Sequence, residues 1–388
     1  MDSLRSEYLL DPQVVFLNHG SFGACPRVVF ETYQDWQRQL ESNPVKFLGQ
    51  RLPPLLTEAR TRLAAYLGAE PGEVVFFTNP TTAFSMAVRS LKLHPGDEIL
   101  TSQYEYPSME SAMTFVTLSS GARVVHQPTP LPISSSAEFI EAFWAGVTER
   151  TRVIVLSHIA AFAAFILPLE EICRRARAAG IITIIDGAHA PSQLPLDMHK
   201  IGADVYIGAC HKWLSAPKGS AFLYADPSVQ GWLEPLVIGG AWPRPDQPPD
   251  GRSWLVYYNE GQGTRDPSAF LSVPAAIDFQ IAHDWDNVRA RCHALASDTH
   301  RRIRQLTGLA PLYPDSSEFY SQMTSVVLPH WMDLSIFGRI LSEEYRIIAP
   351  IIPVLDQHVL RFSIQAYNDQ SDADALVQAF AQYYRENA

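Results

Sequence analysis

Two residues with complementary chemistry, Lys212 and Asp186, each stand at or near the end of an apolar run. The spacing between them leaves room for one short helix and one strand. Both side chains are therefore expected at the carboxyl edge of one open sheet, where ligands bind. A lysine there can hold pyridoxal phosphate as a Schiff base, and a carboxylate can keep its pyridine nitrogen protonated. The pair predicts pyridoxal phosphate chemistry, although either residue alone is more often a solvated strand end or a helix cap.

A phosphate site is predicted at residues 79–82, which follow a strand-like segment and open a helical pattern. Asn79, Thr81 and Thr82 carry amide and hydroxyl groups, and the N-terminus of a helix favours an anion. The same residues can also serve merely to cap the helix. Their position after the first strand of the α/β region favours the phosphate site.

Three further side chains can surround the cofactor. Tyr106 follows the next strand-like segment and is suited to stack on the pyridine ring, with ordinary aromatic packing as the alternative. His189 lies three residues beyond Asp186 and can donate to the ring oxygen. His211 adjoins Lys212 and can reach the phosphate.

The elements that must position these side chains alternate between strand and helix periodicity after residue 73, which predicts a doubly wound α/β sheet. The predicted strands are 73–78, 98–102, 152–157, 181–186, the run from 204 and 220–224. The predicted helices are 81–93, one through the Met113 region, and 169–180, where Gly180 ends the helix.

From about Val273 a long helical pattern leads into a smaller α+β tail. The predicted elements of the tail are strands at 324–328 and 359–363 and helices at 337–345 and from 372. The expected organisation is an N-terminal arm with the substrate entrance (1–50), a large α/β domain (51–272) and a small C-terminal α+β domain (273–388). The proline-rich stretch 242–250 is expected to be a surface loop.

Composition narrows the class of protein. The chain has 388 residues, 47% of them hydrophobic and 18% charged, which is typical of a globular protein. A net charge of -11 argues against a nucleic-acid partner. No apolar run is long enough to span a membrane and the first residues lack a signal-peptide core, so we expect a cytoplasmic protein. Four cysteines without a CxxC pair predict neither disulfides nor a metal site.

Six short motifs, taken together, resemble the class V aminotransferase superfamily of fold-type I pyridoxal phosphate enzymes, and within it the isopenicillin N epimerase-like branch. No single motif would carry the resemblance, but their order and spacing span nearly the whole chain. The motifs are 17–23, 79–82, 186–191, 211–219, 263–266 and 361–368.

The resemblance implies a mostly parallel seven-stranded sheet flanked by helices, and roles for particular residues. Lys212 is the Schiff-base lysine and acid/base, Asp186 the pyridine partner, Tyr106 the stacking ring and His189 the ring-oxygen contact. Thr81, Thr82 and His211 bind phosphate from their own subunit. Thr264 reaches across from the second copy of a homodimer with shared active sites. Arg361 holds the carboxylate of an amino-acid substrate, while Asn18 and His19 line the entrance.

The chain departs from the family pattern in one wall of the pocket. Residues 160–163 read Ala-Ala-Phe-Ala where relatives carry hydroxyl and amide side chains, and Ala209 replaces a common polar phosphate ligand. A drier pocket and a diverged reaction are expected. No cysteine precedes the C-terminal domain in a mobile loop, so a persulfide-forming desulfurase is disfavoured.

Several reactions remain open, each beginning with loss of a group from the substrate α-carbon. The preferred hypothesis is a C–S β-lyase acting on a cysteine S-conjugate in secondary or sulfur metabolism. The alternatives are an epimerase, and a decarboxylating oxidative deaminase of the kind known in lincosamide antibiotic assembly. A noncatalytic binding module is disfavoured because Lys212 and Asp186 are both present.

Overall fold

The computed structural model describes residues 3–240, 248 and 252–387. Its strands are β1 (Val15–Phe16), β2 (Val74–Phe77), β3 (Glu98–Ser102), β4 (Arg123–Gln127), β5 (Thr151–Ser157), β6 (Ile182–Asp186), β7 (Val205–Ala209), β8 (Ala221–Ala225), β9 (Met323–Val327), β10 (Ile347–Ile348), β11 (Ile351–Val354) and β12 (Gln357–Ser363). The proline-rich stretch 242–250 lies outside the described residues, apart from position 248.

The α-helices connect these strands and cover both faces of the main sheet. They are α1 (His19–Phe22), α2 (Arg27–Ser42), α3 (Pro44–Lys46), α4 (Leu52–Tyr66), α5 (Pro80–Arg89), α6 (Pro107–Ser120), α7 (Ser136–Trp144), α8 (Leu169–Ala178), α9 (Met198–Ile201), α10 (Trp254–Glu260), α11 (Ser268–Leu271), α12 (Val273–Ala282), α13 (Trp285–Thr307), α14 (Leu334–Arg339) and α15 (Gln370–Asn387). Short 3₁₀ turns occur at Arg5–Glu7 and Gln230–Trp232, and π-helical turns at Phe47–Arg51 and Ile340–Glu344.

The main sheet has seven strands in the order β2-β8-β7-β6-β5-β3-β4. The four pairs from β7 to β4 are parallel, whereas β8 runs antiparallel to both of its neighbours. The predicted mostly parallel α/β sheet is therefore confirmed. The carboxyl ends of β3, β5 and β6 meet at one edge, which places Ser157 opposite Asp186.

The apolar character of these strands follows from burial on both faces. Ile184 packs in one apolar cluster and its neighbour Ile185 in another, on the opposite face of the sheet. Tyr206 and Ile207 of β7 divide in the same way. Strands covered by helices on both sides read as continuous apolar runs, because neither face meets water.

The C-terminal part carries a separate three-stranded antiparallel sheet in the order β11-β12-β9. The N-terminal segment joins this part, since β1 pairs in parallel with β10 and Leu17 O accepts a hydrogen bond from Ser363 N at 2.8 Å. Residues 18–23 are thereby held beside β12. Among the described residues, no helix combines the length and the apolar content needed to cross a membrane.

Gly23 lets this N-terminal segment approach the turn that carries Lys212. Its φ of +70° lies in the left-handed region, and a Cβ atom there would stand 2.1 Å from His211 O. Any other residue at position 23 would displace one of the two segments.

Candidate active site

A small cavity opens at the carboxyl edge of the main sheet. Its volume is about 140 Å³, and it is the place where the N-terminal segment, α5 and the ends of β6 and β7 converge. Seven of the side chains selected from the sequence line it: Asn79, Thr81, Tyr106, Asp186, His189, His211 and Lys212.

Lys212 lies three residues beyond β7, with its amine directed at His189. The distance from Lys212 Nζ to His189 Nε2 is 3.1 Å. Burial lowers the pKa of Lys212 to about 8, although the nearby carboxylate of Asp186 opposes that change. A lysine with this pKa is partly neutral near physiological pH, which is the form that attacks a carbonyl carbon.

Asp186 ends β6 and is 5% exposed. Its Oδ1 accepts a hydrogen bond from Ala188 N at 2.9 Å. Burial raises the pKa of Asp186, while that hydrogen bond and the charge of Lys212 lower it. A carboxylate lining a cavity with one backbone donor is suited to bind a protonated ring nitrogen.

Tyr106 forms an aromatic wall of the cavity. It precedes α6, and its ring centroid lies 5.9 Å from Lys212 Nζ. Phe162 packs beside it, with the two ring centroids 6.1 Å apart. The ring of Tyr106 is 40% exposed, so one face remains available to a planar group.

The N-terminus of α5 supplies polar groups at another wall. Asn79 caps the helix, because its Oδ1 accepts from Thr82 N at 2.8 Å and from Thr82 Oγ1 at 3.0 Å. Thr82 is thus committed to the cap and does not line the cavity, whereas Thr81 does. Thr81 Oγ1 lies 3.2 Å from Ser108 Oγ and is exposed.

His211 reaches the cavity from the turn beside Lys212. Its Nδ1 donates to Ser220 O at 2.8 Å, which leaves Nε2 as the second polar atom of the ring. Burial lowers the pKa of His211 to about 4. A bound phosphate would oppose that change, because a nearby anion favours the protonated ring.

Arg361 lies on β12 with its guanidinium 4% exposed. Nη1 donates to Ala161 O at 2.5 Å, and Nη2 donates to Asn18 Oδ1 at 3.2 Å and to Ser21 Oγ at 3.0 Å. Among the described residues, Nε of Arg361 has no hydrogen-bond partner. A buried, unpaired donor on a guanidinium matches the carboxylate of an amino acid.

His19 corrects one expectation. We expected it to line the substrate entrance, but its side chain is 0% exposed. Nε2 donates to Lys212 O at 3.0 Å, and Nδ1 lies 3.1 Å from the hydroxyl of Tyr367. His19 therefore supports the backbone of Lys212, because the N-terminal segment is drawn between that turn and β12. Asn18, its neighbour, holds Arg361.

Only part of the segment that was expected to make the pocket dry lines the cavity. Ala161 and Ile159 line the cavity, whereas Ala160 and Ala163 lie in the protein core. Ala209 is fully buried at the end of β7. Ile159 and Ala161 thus contribute apolar lining to a cavity that also carries polar groups.

Thr264 does not line the Lys212 cavity. It lies in a separate cavity of about 520 Å³ with Arg265, Leu48 and Leu52. Thr264 therefore does not contribute to the predicted phosphate site beside Lys212 in its own chain.

Two buried residues of the site escaped sequence reasoning. Trp213 donates its indole N–H to His189 Nδ1 at 3.3 Å. Glu105 accepts hydrogen bonds from Ser102 Oγ and Ser157 Oγ, both at 2.6 Å, and burial raises its pKa to about 7. Glu105 directly precedes Tyr106 at the end of a strand, which is the only signal in the sequence that could have indicated it.

The donor set fits pyridoxal phosphate. A primary amine, a buried carboxylate, an aromatic wall and the N-terminus of an α-helix surround one cavity, and each matches a different part of that cofactor. No group of three or more residues that could ligate a metal occurs among the described residues.

Comparison with known proteins agrees with this assignment. The chain matches the family model described as aminotransferase class-V over residues 15–376. It is 36% identical over 385 residues to isopenicillin N epimerase from Amycolatopsis lactamdurans, covering 97% of this chain and 96% of that protein. It is 27% identical over 400 residues to a probable chloroplastic L-cysteine desulfhydrase from Arabidopsis thaliana, covering 94% and 82% respectively.

A solved structure shows the same fold. The cysteine desulfurase CsdA from Escherichia coli is similar with a TM-score of 0.81 and 23% sequence identity, covering 99% of this chain and 98% of that one. With the family model spanning most of the sequence, the resemblance inferred from the six motifs is confirmed. The protein belongs to the class V aminotransferase family, its cofactor is pyridoxal 5'-phosphate, and it is an enzyme.

Proposed function

We propose that the protein is a C–S β-lyase that acts on a cysteine S-conjugate. The overall reaction converts the conjugate and water into the free thiol, pyruvate and ammonium. The observation that carries the proposal is the disposition of proton-transferring groups. Lys212 supplies one amine with a lowered pKa, while the other lining side chains include the apolar Phe22, Met109, Ile159 and Ala161.

Each residue has a defined task in this reaction. Arg361 binds the substrate carboxylate, using Nε and the two nitrogens now shared with Asn18, Ser21 and Ala161 O. This contact fixes the orientation of the α-carbon, which determines the bond that is broken. Asp186 keeps the pyridine nitrogen protonated. The cofactor, when bound, supplies the electron sink for the pair released at the α-carbon.

Lys212 moves the proton. Its neutral amine would remove the α-proton of the substrate, and the thiolate would then leave from the β-carbon. A β-elimination needs only one such base, whereas an epimerase needs a second acid on the opposite face. The relative from Arabidopsis thaliana, a probable L-cysteine desulfhydrase, supports cleavage at sulfur.

Epimerisation is the second candidate, since the 36% identity to isopenicillin N epimerase extends over 97% of the chain. Tyr106 is the group that favours it. Tyr106 lines the cavity and is 40% exposed, so its hydroxyl is a second group that can transfer a proton.

One experiment separates the candidates. The purified protein, loaded with pyridoxal phosphate, is incubated in D₂O under air with cysteine conjugates that carry alkyl, aryl and sugar substituents on sulfur. Pyruvate and thiol in equal amounts support the lyase. Unchanged carbon skeletons with deuterium at the α-carbon and inverted configuration would establish epimerisation instead. An aldehyde formed with loss of carbon dioxide, and only under air, would establish oxidative decarboxylation.

The matched control is K212A, which keeps the cavity but lacks the amine. Product formed equally by K212A and by the wild-type protein would show that the reaction is not enzymatic. A loaded wild-type protein that yields no pyruvate from any conjugate contradicts the lyase proposal.

We also infer that the protein acts as a homodimer with shared sites. Within one chain, Thr264 lines a different cavity from the one that contains Lys212. Thr264 can therefore contribute to a phosphate site only in a second copy.

A further inference from the structure

The hydrogen bonds around His189 determine which ring nitrogen carries the proton. Its Nδ1 faces the indole Nε1 of Trp213 at 3.3 Å. An indole N–H can only donate, so Nδ1 must accept with its lone pair. Burial holds the pKa of His189 well below its usual range, so the ring is neutral. In a neutral ring whose Nδ1 accepts, the proton resides on Nε2.

The other side of the ring is consistent with this tautomer. Nε2 of His189 lies 3.1 Å from Lys212 Nζ. A protonated Nε2 donates, and the lysine amine must then accept with its own lone pair. The lowered pKa of Lys212, about 8, makes the neutral amine available for that hydrogen bond. The three groups therefore form one directed chain from indole to imidazole to amine.

We propose that Trp213 is a positioning residue that fixes His189 in its Nε2–H tautomer, so that His189 presents a hydrogen-bond donor, and no base, to the cofactor. The proposal applies whichever reaction the enzyme catalyses. When Lys212 is engaged with the cofactor, Nε2–H is free to donate to the ring oxygen. Proton transfer at the substrate α-carbon is then left to Lys212.

The packing of Trp213 allows it to perform this task. Its side chain is 0% exposed and packs with Met323, Ile159 and Ala164. The ring of His19 lies 5.1 Å away between centroids. Because Trp213 adjoins Lys212 in sequence, the turn that places the amine also places the indole. The two partners of His189 are therefore set by one piece of backbone.

The direct test is NMR spectroscopy of the full-length holoenzyme labelled with ¹⁵N-histidine. Long-range ¹H–¹⁵N correlations distinguish the two tautomers, and H189A identifies the signal. We expect Nε2–H in the wild-type protein. In W213F, which replaces the indole by a phenyl ring and so removes the donor, we expect the Nδ1–H tautomer to become populated. The matched control is W36F, since Trp36 donates its indole N–H to Leu271 O at 3.1 Å, away from the site.

A second readout uses the cofactor itself. W213F should shift the pH midpoint of the visible absorption band by roughly 0.5–1 unit, the effect of one neutral hydrogen bond. The same substitution in an H189A background should shift it by less than a third of that amount. A purely structural role for Trp213 would instead lower the melting temperature and leave the midpoint where it was.

Three results would overturn the proposal: Nδ1–H in the wild-type holoenzyme, an unchanged tautomer in W213F, or an equal shift with and without His189. Should W213F not fold, benzothienylalanine at position 213 keeps both rings and replaces N–H by sulfur. That variant should show the same tautomer change.

Discussion

Arg361 Nη2 lies 3.2 Å from Asn18 Oδ1, although 343 residues separate the two in sequence. The amide oxygen thereby helps to fix the guanidinium that we propose binds the substrate carboxylate. Because the contact joins β12 to the N-terminal segment, the proposed carboxylate site is built from two distant parts of the chain.

Replacing Arg361 by lysine should weaken substrate binding more than it slows chemistry. Lysine keeps the charge but loses the two-pronged geometry, a loss of about 2–3 kcal/mol. We expect KM to rise roughly 30- to 150-fold with kcat within about threefold. Steady-state kinetics with the best substrate measure both. N18A, which removes the contact and keeps the guanidinium, should raise KM less than R361K does. Equal KM values in R361K and the wild-type protein would show that Arg361 does not bind the substrate.

Uptake of pyridoxal phosphate by the apoprotein should follow the ionisation of Lys212. Its pKa is lowered to about 8 by burial, and only the neutral amine reacts. The rate should rise with pH and level off above about 8. Since Asp186 opposes the lowering, D186N should move the midpoint to lower pH. Stopped-flow absorbance measures the rate, and a midpoint that D186N raises would contradict the arrangement.

Glu105 should make stability depend on pH. Its pKa in the folded protein is about 7, above the ordinary value of 4.5, so the unfolded chain loses this proton first as pH rises. The contribution of this group to the free energy of unfolding therefore falls as pH rises between those two values, and it stays lower above them. E105Q cannot titrate. We expect the free energy of unfolding of E105Q, relative to wild type, to increase by about 2–3 kcal/mol from pH 5 to pH 8. Urea denaturation of the apoprotein measures it.

Glu98 provides the control for that experiment. It is also buried; burial raises its pKa, but hydrogen bonds from Thr148, Arg123 and Arg150 outweigh this and lower the value to about 2. Its titration lies below pH 5, so the difference between E98Q and wild type should stay constant from pH 5 to pH 8. A slope in E98Q equal to that in E105Q would show that the effect does not originate at Glu105.

Mixing two impaired variants should restore activity if active sites are shared between subunits. K212A lacks the amine and a variant at Thr264, such as T264A, should bind the cofactor about tenfold more weakly, as expected for loss of one hydrogen bond to a charged group. In a mixed dimer, one site has both native residues. At limiting cofactor concentration, the activity of the mixture should exceed the sum of the activities of the two variants measured separately. Activity that never exceeds that sum would contradict shared sites.

Several strands could be predicted from the sequence because their apolar pattern matches their burial in the sheet. Strand 98–102 was predicted with the bounds that the structure shows, and the strand before Asp186 was predicted to end at that residue. Strand β4 was missed, because it lies at the edge of the sheet and its polar residues obscure the alternation. Helix α5 was predicted to reach residue 93 but ends at Arg89, since apolar residues continue into the following loop.

Residues of the site whose role depends on contacts with distant parts of the chain could not be predicted from the sequence. Lys212 and Asp186 stood out because each follows an apolar run. Trp213 and Glu105 did not, since a tryptophan beside a lysine and a glutamate after a strand are ordinary on their own. Their meaning depends on His189 and Ser157, which the fold brings close. The prediction that His19 lines the substrate entrance was wrong for the same reason.

The pairing of β1 with β10 has a consequence for synthesis of the protein on the ribosome. Residues 15–23 emerge early but cannot dock until residues 347–363 have been made, because their partners lie there. The contact between Asn18 and Arg361 likewise forms only after β12 has been made. The strands of the main sheet all lie within residues 74–225, so they are made before β10 and β12. Docking of residues 15–23 is thus tied to the synthesis of β10 and β12.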